Sequence, residues 1–277
     1  MRILYPTDFS EASLNAYIYA LQLAKAYKAS IVTFHAYSMP DIGSVNLPHT
    51  LREIYNAISI EEFENYKDSI PVLREISEKQ NAADVELYHV LQQGDPKRAI
   101  LSAIEANKAD LVVMGTTGAG AMKELFVGSV AAEVMENADV PVLAVPMGAV
   151  FDGSISKIAF ATELLDEDDK ALPRVQEIAR TLGAEVLCVN ADVSHTTPYT
   201  TRVEEFKQQF PDVALHVLES IDVEESIKQF VHKNHVDILA MLIHQRNRLQ
   251  EIFNYSMTKR FARHLRVPIL AIQAHTL

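Results

Sequence analysis

The chain repeats itself, and the repeat limits the folds open to it more than any other feature. Lys157 to Glu163 reproduces Arg2 to Asp8 at an offset of 155, setting Thr162 on Thr7 and Glu163 on Asp8. The same offset persists through Val186 to Ala191. From Asp222 onward the offset is 127, with Asp222 on Asp95, Ile227 on Ile100, Asp237 on Asp110, Glu251 on Glu124, Phe253 on Phe126, Ser256 on Ser129 and Pro268 on Pro141. The second copy therefore lacks about 28 residues between its second and third strands, the difference between the two offsets. Ordered self-similarity of this kind specifies two tandem units, and 277 residues suffice for two ordinary domains. The boundaries expected are 1–147 and 154–277, joined near Met147 to Ser154.

Within a unit, short apolar runs alternate with amphipathic helical stretches, the pattern of βαβ units and a parallel sheet. Arg2 to Tyr5 is a strand, and Ser10 with Ser13 caps a helix rich in Ala and Leu. Ile31 to Ala36 and Val85 to Leu91 are further strands. Helical patterns run from about His49 to Tyr66 and from Val72 to Gln80, separated at Pro71. Asp95-Pro96 opens another helix, ending near Asn107. Asp110 to Met114 reads as a buried strand, and Val140 to Val145 as the fifth.

Between the last two strands lies Gly115-Thr116-Thr117-Gly118-Ala119-Gly120, followed at Gly128-Ser129 and within helix-forming composition from Lys123 to Ala138. A strand, a glycine loop and a helix, in that order, bring peptide N–H groups and a helix start to bear on an anion. The loop is neither a Walker P-loop nor a dinucleotide fingerprint. Ala121 and Met122 stand where Lys and Ser/Thr are required, and Lys123 falls on the last glycine of Gly-x-Gly-x-x-Gly.

A net charge of −12 and the absence of a dense Lys/Arg run argue against nucleic acid and anionic membrane surfaces as partners. Lys259, Arg260, Arg263, His264 and Arg266 fall at helical spacing and read as a solvated face. No run approaches the ~20 apolar residues of a membrane span, and Pro6 and Asp8 interrupt any signal-peptide pattern. The single Cys188, set in an apolar strand, reads as a packing residue. A cytoplasmic location is the expectation. His232, His235 and His244 complete no metal pattern, and Glu61, Glu62 and Glu64 read as a wet helix face. No Ser–His–Asp or Cys–His arrangement is implied by spacing.

Gly115 and Gly118, then Gly128-Ser129 after nine residues, together with Pro6, Asp8 and Ser10 after the first strand and Pro141 to Val145, resemble the universal stress protein family. The likeness is strong in the first half and weak in the second. It implies an α/β fold of two tandem Rossmann-like domains, each a five-stranded parallel sheet of order 3-2-1-4-5 flanked by helices, with ligand at the carboxyl ends of the strands. In the family the last strand pairs across a two-fold interface, so the halves are expected to pair with each other. A homodimer of whole chains stays open.

The resemblance also implies ATP as ligand, with Mg²⁺ left open. Asp8 would face the ribose or adenine, beside Pro6 and Thr7, and the backbone of Ala36 would meet the adenine edge. Gly115, Gly118, Ala119 and Gly120 would wrap the phosphates, flanked by Met114 and Thr116, with Gly128, Ser129 and Val130 closing around them. In the second half Leu242, Gln245 and Tyr255 replace the three glycines, and only Ser256 survives. That half is expected to keep the fold and lose the ligand, since bulk fills the phosphate space and forfeits left-handed backbone angles. The function expected is a nucleotide-binding stress-response regulator. A nucleotide-free scaffold is the rival, and a slow ATPase ranks last because spacing places no water-activating base.

Overall fold

In the first half, strand β1 (Arg2–Pro6) leads into helix α1 (Glu11–Tyr27), β2 (Ser30–Tyr37), α2 (Pro48–Lys79), β3 (Leu87–Gln93), α3 (Pro96–Ala106), β4 (Leu111–Gly115), α4 (Ser129–Asn137) and β5 (Val142–Val145). The second half runs β6 (Lys157–Ala161), α5 (Asp166–Leu182), β7 (Glu185–Asp192), α6 (Thr197–Gln209), β8 (Ala214–Glu219), α7 (Val223–Lys233), β9 (Ile238–Ile243) and β10 (Ile269–Gln273). This computed structural model describes residues 1–39, 48–118, 128–192, 197–219, 222–243 and 266–277.

The strands form one ten-stranded sheet in the order β3-β2-β1-β4-β5-β10-β9-β6-β7-β8. Each half is parallel throughout and carries the expected 3-2-1-4-5 order. The halves join where β5 meets β10 antiparallel, with Leu143 opposite Leu270. Both leucines are buried, and each contributes about 1.5–3 kcal/mol by leaving water. The pairing also covers the two strand edges that would otherwise be exposed templates for association.

Hydrogen bonds repeat as faithfully as the sequence. The Asp110 carboxylate accepts from the Arg2 amide at 2.7 Å, and the Asp237 carboxylate accepts from the Lys157 amide at 2.9 Å. Asp95 caps α3 by accepting from the Arg98 amide, and Asp222 caps α7 by accepting from the Glu225 amide. Asn107 and Asn234 each donate back to a carbonyl four residues earlier, Ala103 and Phe230. The shortening between the copies falls where the offset changes. Helix α2 has 32 residues and its counterpart α6 has 13.

One face of the sheet carries a continuous core. Alternate residues of the central strands in both halves pack there against α1, α5, Leu73 of α2 and Phe206 of α6. On the opposite face α3 and α4 cover the first half and α7 the second. Helix α1 lies close on β4 because Ala12, Ala16, Ala20 and Ala24 form its buried stripe. Gln273 of β10 donates from Nε2 to the Met135 carbonyl at 2.9 Å, tying the seam to α4. A cavity of about 400 Å³ lies at the seam between Leu23 and Tyr27 of α1 and Arg174 and Ile178 of α5. It opens at the start of β4, the end of that strand remote from the glycine loop.

Two expectations need correcting. Pro71 does not divide two helices, because α2 is continuous through it. Tyr66, Leu73 and Ser77 are buried on either side while Pro71 is exposed, so water can reach the carbonyl the proline leaves unbonded and packing carries the helix past it. The third strand lies at 87–93 rather than Val85 to Leu91, set by pairing Ile31 with Leu87 through Tyr37 with Gln93. Helix α4 begins at Ser129, and the earlier part of the stretch read from Lys123 lies outside the described residues.

Candidate functional site

Strand order reverses between β1 and β4, so the segments leaving their carboxyl ends diverge and open a crevice. On one side stand Pro6 and Thr7, both buried, and Asp8, exposed at the mouth. Ser10 caps α1 by accepting from the Ser13 amide, and Asp8 Oδ1 accepts from the Ser10 amide at 3.0 Å and the Ser10 hydroxyl at 2.6 Å. Phe9 takes a left-handed φ of 58°, a strained state for an aromatic residue. Its amide is held by Thr7 Oγ1 at 3.0 Å.

Across the crevice β4 delivers Met114, Gly115 and Thr116. The Thr116 amide donates to the Val145 carbonyl, and the Thr116 carbonyl accepts from the Gly128 amide at 2.6 Å. That last bond returns the chain to the end of β4. Gly128 is the N-cap of α4 without a side-chain cap, so the first amides of the helix, from Ser129 and Val130 onward, have no intrahelical partner. They carry the positive end of the helix dipole.

The structure thus brings Pro6, Thr7, Asp8, Met114, Gly115, Thr116, Gly118, Gly128, Ser129 and Val130 to one edge of the sheet. Ala36, half-buried near the end of β2, lies beside them because β2 is the neighbour of β1. Ala119 and Gly120 lie outside the described residues.

The glycines are needed for space and not for unusual backbone angles. Gly115, Gly118 and Gly128 all lie outside the positive-φ region, which corrects the expectation that the second half forfeits left-handed conformations at these places. A Cβ on Gly118 would stand 2.8 Å from Asp8 Oδ2. One on Gly115 would stand 3.0 Å from the backbone of Ala12, so this glycine lets α1 lie close on the sheet.

Sequence reasoning missed the layer beneath the crevice. The Tyr5 hydroxyl donates to the Ser13 carbonyl at 2.7 Å and stands 3.2 Å from Thr7 Oγ1, which is 3.1 Å from Ser13 Oγ. Burial drives the Tyr5 hydroxyl well above its ordinary pKa, so it acts as a fixed donor. His35 Nδ1 lies 2.7 Å from the Thr7 carbonyl. The signal for these residues was present at the offset of 155, in Phe160, Asp168 and Asn190, but it means little until the strands are paired.

The equivalent edge of the second half is built differently. Leu242 pairs with Ile272 in the register that Gly115 keeps with Val145, and it is buried in the shared core. Asp168 replaces Ser13. Its Oδ2 accepts from the Glu163 amide at 2.9 Å, the Leu165 amide at 3.0 Å and the Thr162 hydroxyl at 3.1 Å. Burial pushes this carboxyl up, against the bonds that draw it down. The second turn is thereby filled by a carboxylate of the chain itself. Gln245, Tyr255 and Ser256 lie outside the described residues.

Among the described residues no group of three His, Cys, Asp or Glu side chains is placed to hold a metal. His232 and His235 do not share a helix face: α7 ends at Lys233 and His235 follows the cap with φ 53°. His244 lies outside the described residues. No helix among the described residues is long and apolar enough to cross a membrane.

Comparison with known proteins identifies the family. A family model described as the universal stress protein family matches residues 1–146, and the chain belongs to that family. A universal stress protein of Methanocaldococcus jannaschii is 31% identical over 144 residues, covering 52% of this chain and 81% of the relative. One from Thermus aquaticus is 34% identical over 149 residues, covering 52% of this chain and 96% of the relative. The crystal structure of a universal stress protein from Archaeoglobus fulgidus aligns over 98% of this chain and 96% of its own, with a TM-score of 0.71 at 21% identity. That likeness is one of fold, and it spans both halves.

Proposed function

We propose that this member of a stress-response family is a cytoplasmic regulator that binds ATP in residues 1–147, while residues 154–277 form a degenerate copy that serves as its structural partner. The observation that carries the reading is the contrast at one edge of the sheet. In the first half Gly118, lacking a side chain, lets the Asp8 carboxylate stand close against the glycine loop, and the Thr116–Gly128 bond returns the chain to a bare helix N-terminus at the same edge. Amide donors and a helix start suit a polyphosphate, and Asp8 suits a ribose hydroxyl. In the second half Leu242 occupies the place of Gly115, and the Asp168 carboxylate lies buried under the turn, where it repels an anion.

Ligand bound to the folded state alone stabilises it by mass action. ATP should therefore raise the melting temperature of the wild type. Gly118→Val should abolish that rise while the protein stays folded, because the new side chain would push the Asp8 carboxylate, the end of a flexible side chain, out of its place. Mass spectrometry of the denatured, purified protein should release adenosine phosphates. Equal ATP-induced shifts in both proteins would remove the site. No released nucleotide together with no binding at millimolar ATP would favour a scaffold instead.

A further inference from the structure

We propose that His35 is a positioning residue for the nucleotide crevice, fixing the Thr7–Asp8 peptide plane so that Asp8 faces Gly118; the inference rests on the reading just given. A carbonyl only accepts, so the 2.7 Å contact between His35 Nδ1 and the Thr7 carbonyl assigns the proton to Nδ1. The same residue is held from its other side, since the Thr7 amide donates to the Phe34 carbonyl at 2.9 Å. The bond from His35 holds the Thr7–Asp8 peptide plane and the bond to Phe34 holds the Pro6–Thr7 plane, so both planes that flank Thr7 are fixed and the direction in which the chain leaves toward Asp8 is set. The donor ring is itself immobilised. It stacks on Tyr66 at 5.9 Å with an interplanar angle of 14°, and Phe9 packs on it at 5.8 Å. Tyr66 is anchored in turn by its hydroxyl, 2.8 Å from Thr33 Oγ1.

The second half supplies the control. Asn190, the counterpart of His35, donates from Nδ2 to the carbonyl of Thr162, the counterpart of Thr7, also at 2.7 Å. Two chemically different side chains make one bond at equivalent places. What both halves retain is a donor to that carbonyl, and the imidazole is only one way to provide it. Without the donor a carbonyl beneath the turn loses its partner, and the left-handed Phe9 loses the ring that packs on it.

The test uses four full-length proteins, wild type, His35→Asn, His35→Leu and Asn190→Leu, with ATP affinity by calorimetry and stability by thermal melting. His35→Leu should weaken ATP binding about tenfold, the equivalent of one lost hydrogen bond. His35→Asn should bind within about threefold of wild type, a difference below that of one bond. Asn190→Leu, which breaks the same bond in the other half, should melt lower yet bind ATP as wild type does. If His35→Leu fails to fold, His35→Thr keeps the strand propensity, lacks the reach and takes its place. Wild-type affinity in His35→Leu and His35→Thr would overturn the inference, as would His35→Asn binding as weakly as His35→Leu. A wild type that binds no ATP would overturn the nucleotide reading, and the inference with it, before any variant is measured.

Discussion

The turns after β1 and β6 share a backbone and differ in what lies beneath it. Phe9 and Leu164 both take left-handed angles, φ 58° and 60°, and each has its amide bonded to the threonine two residues before it. Below, the first half has three hydroxyls, from Tyr5, Thr7 and Ser13. The second has Phe160, Thr162 and the Asp168 carboxylate. Thr162 therefore keeps the part of Thr7, Phe160 brings no hydroxyl, and the Asp168 carboxylate in the place of Ser13 takes three bonds and saturates the second turn. A repeated backbone can be kept while the side chains beneath it change, because the backbone path and the lining of the turn depend on different atoms. The strands need only apolar alternation and capped ends, whereas the close approach of Asp8 to the glycine loop needs a residue without a side chain at Gly118.

The comparison can be broken most sharply by moving residues between the halves. Gly115→Leu installs the residue of the second half at a place where the Ala12 backbone is 3.0 Å from any Cβ, so α1 must be driven off β4. A loss of about 3 kcal/mol, read from urea unfolding, is expected from such overpacking, together with loss of ATP binding. Unchanged stability would show that α1 lies looser than the distance indicates.

Tyr5→Phe copies Phe160 and removes the bond to the Ser13 carbonyl. It should cost about 1 kcal/mol, the net worth of one buried hydrogen bond. A cost near zero in the same unfolding experiment would show that the hydroxyl layer contributes little to stability.

Asp168→Asn tests the carboxylate of the second half through pH. The folded-state pKa of Asp168 is raised, so its proton is held more tightly in the folded protein than in the unfolded one. That contribution to stability is fully present below the ordinary value of 3.8 and is lost as pH rises through the folded value. The stability of wild type relative to Asp168→Asn should therefore fall as pH is raised above the ordinary value of 3.8. A pH-independent difference between the urea midpoints would contradict this.

Cys188 gives the smallest effect. Burial pushes its thiol up to about 12, with the Asp168 charge adding to the rise. The native protein should not react with an aromatic disulfide reagent at about pH 8, and the denatured chain should react fully. Rapid labelling of the native protein would mean that β7 opens readily.

Much of the architecture was legible in the residues. The offsets of 155 and 127 specified the two units, their order of elements and the short crossover of the second, because repeated strand and cap residues carry that information locally. Gly115, Gly118 and Gly128 were visible as one motif, and the structure brings all three to one edge. Pro71 misled because propensity is local, while the helix is held by Tyr66 and Leu73 against the sheet. His35 and Ser13 were unreadable as parts of a site because their partners, Thr7 and Tyr5, lie on another element or across a turn.

By itself the sequence determined which stretches become strands and helices, that they occur twice, and that one glycine loop is intact and its twin is not. These follow from periodicity, capping residues and side-chain volume, which act over a few residues. The tertiary structure alone decided that β5 and β10 join the halves into one sheet, that α1 rests on Gly115, and that Asp168 fills the second turn. Those outcomes depend on contacts between residues far apart in the chain, whose distances exist only after the strands have paired.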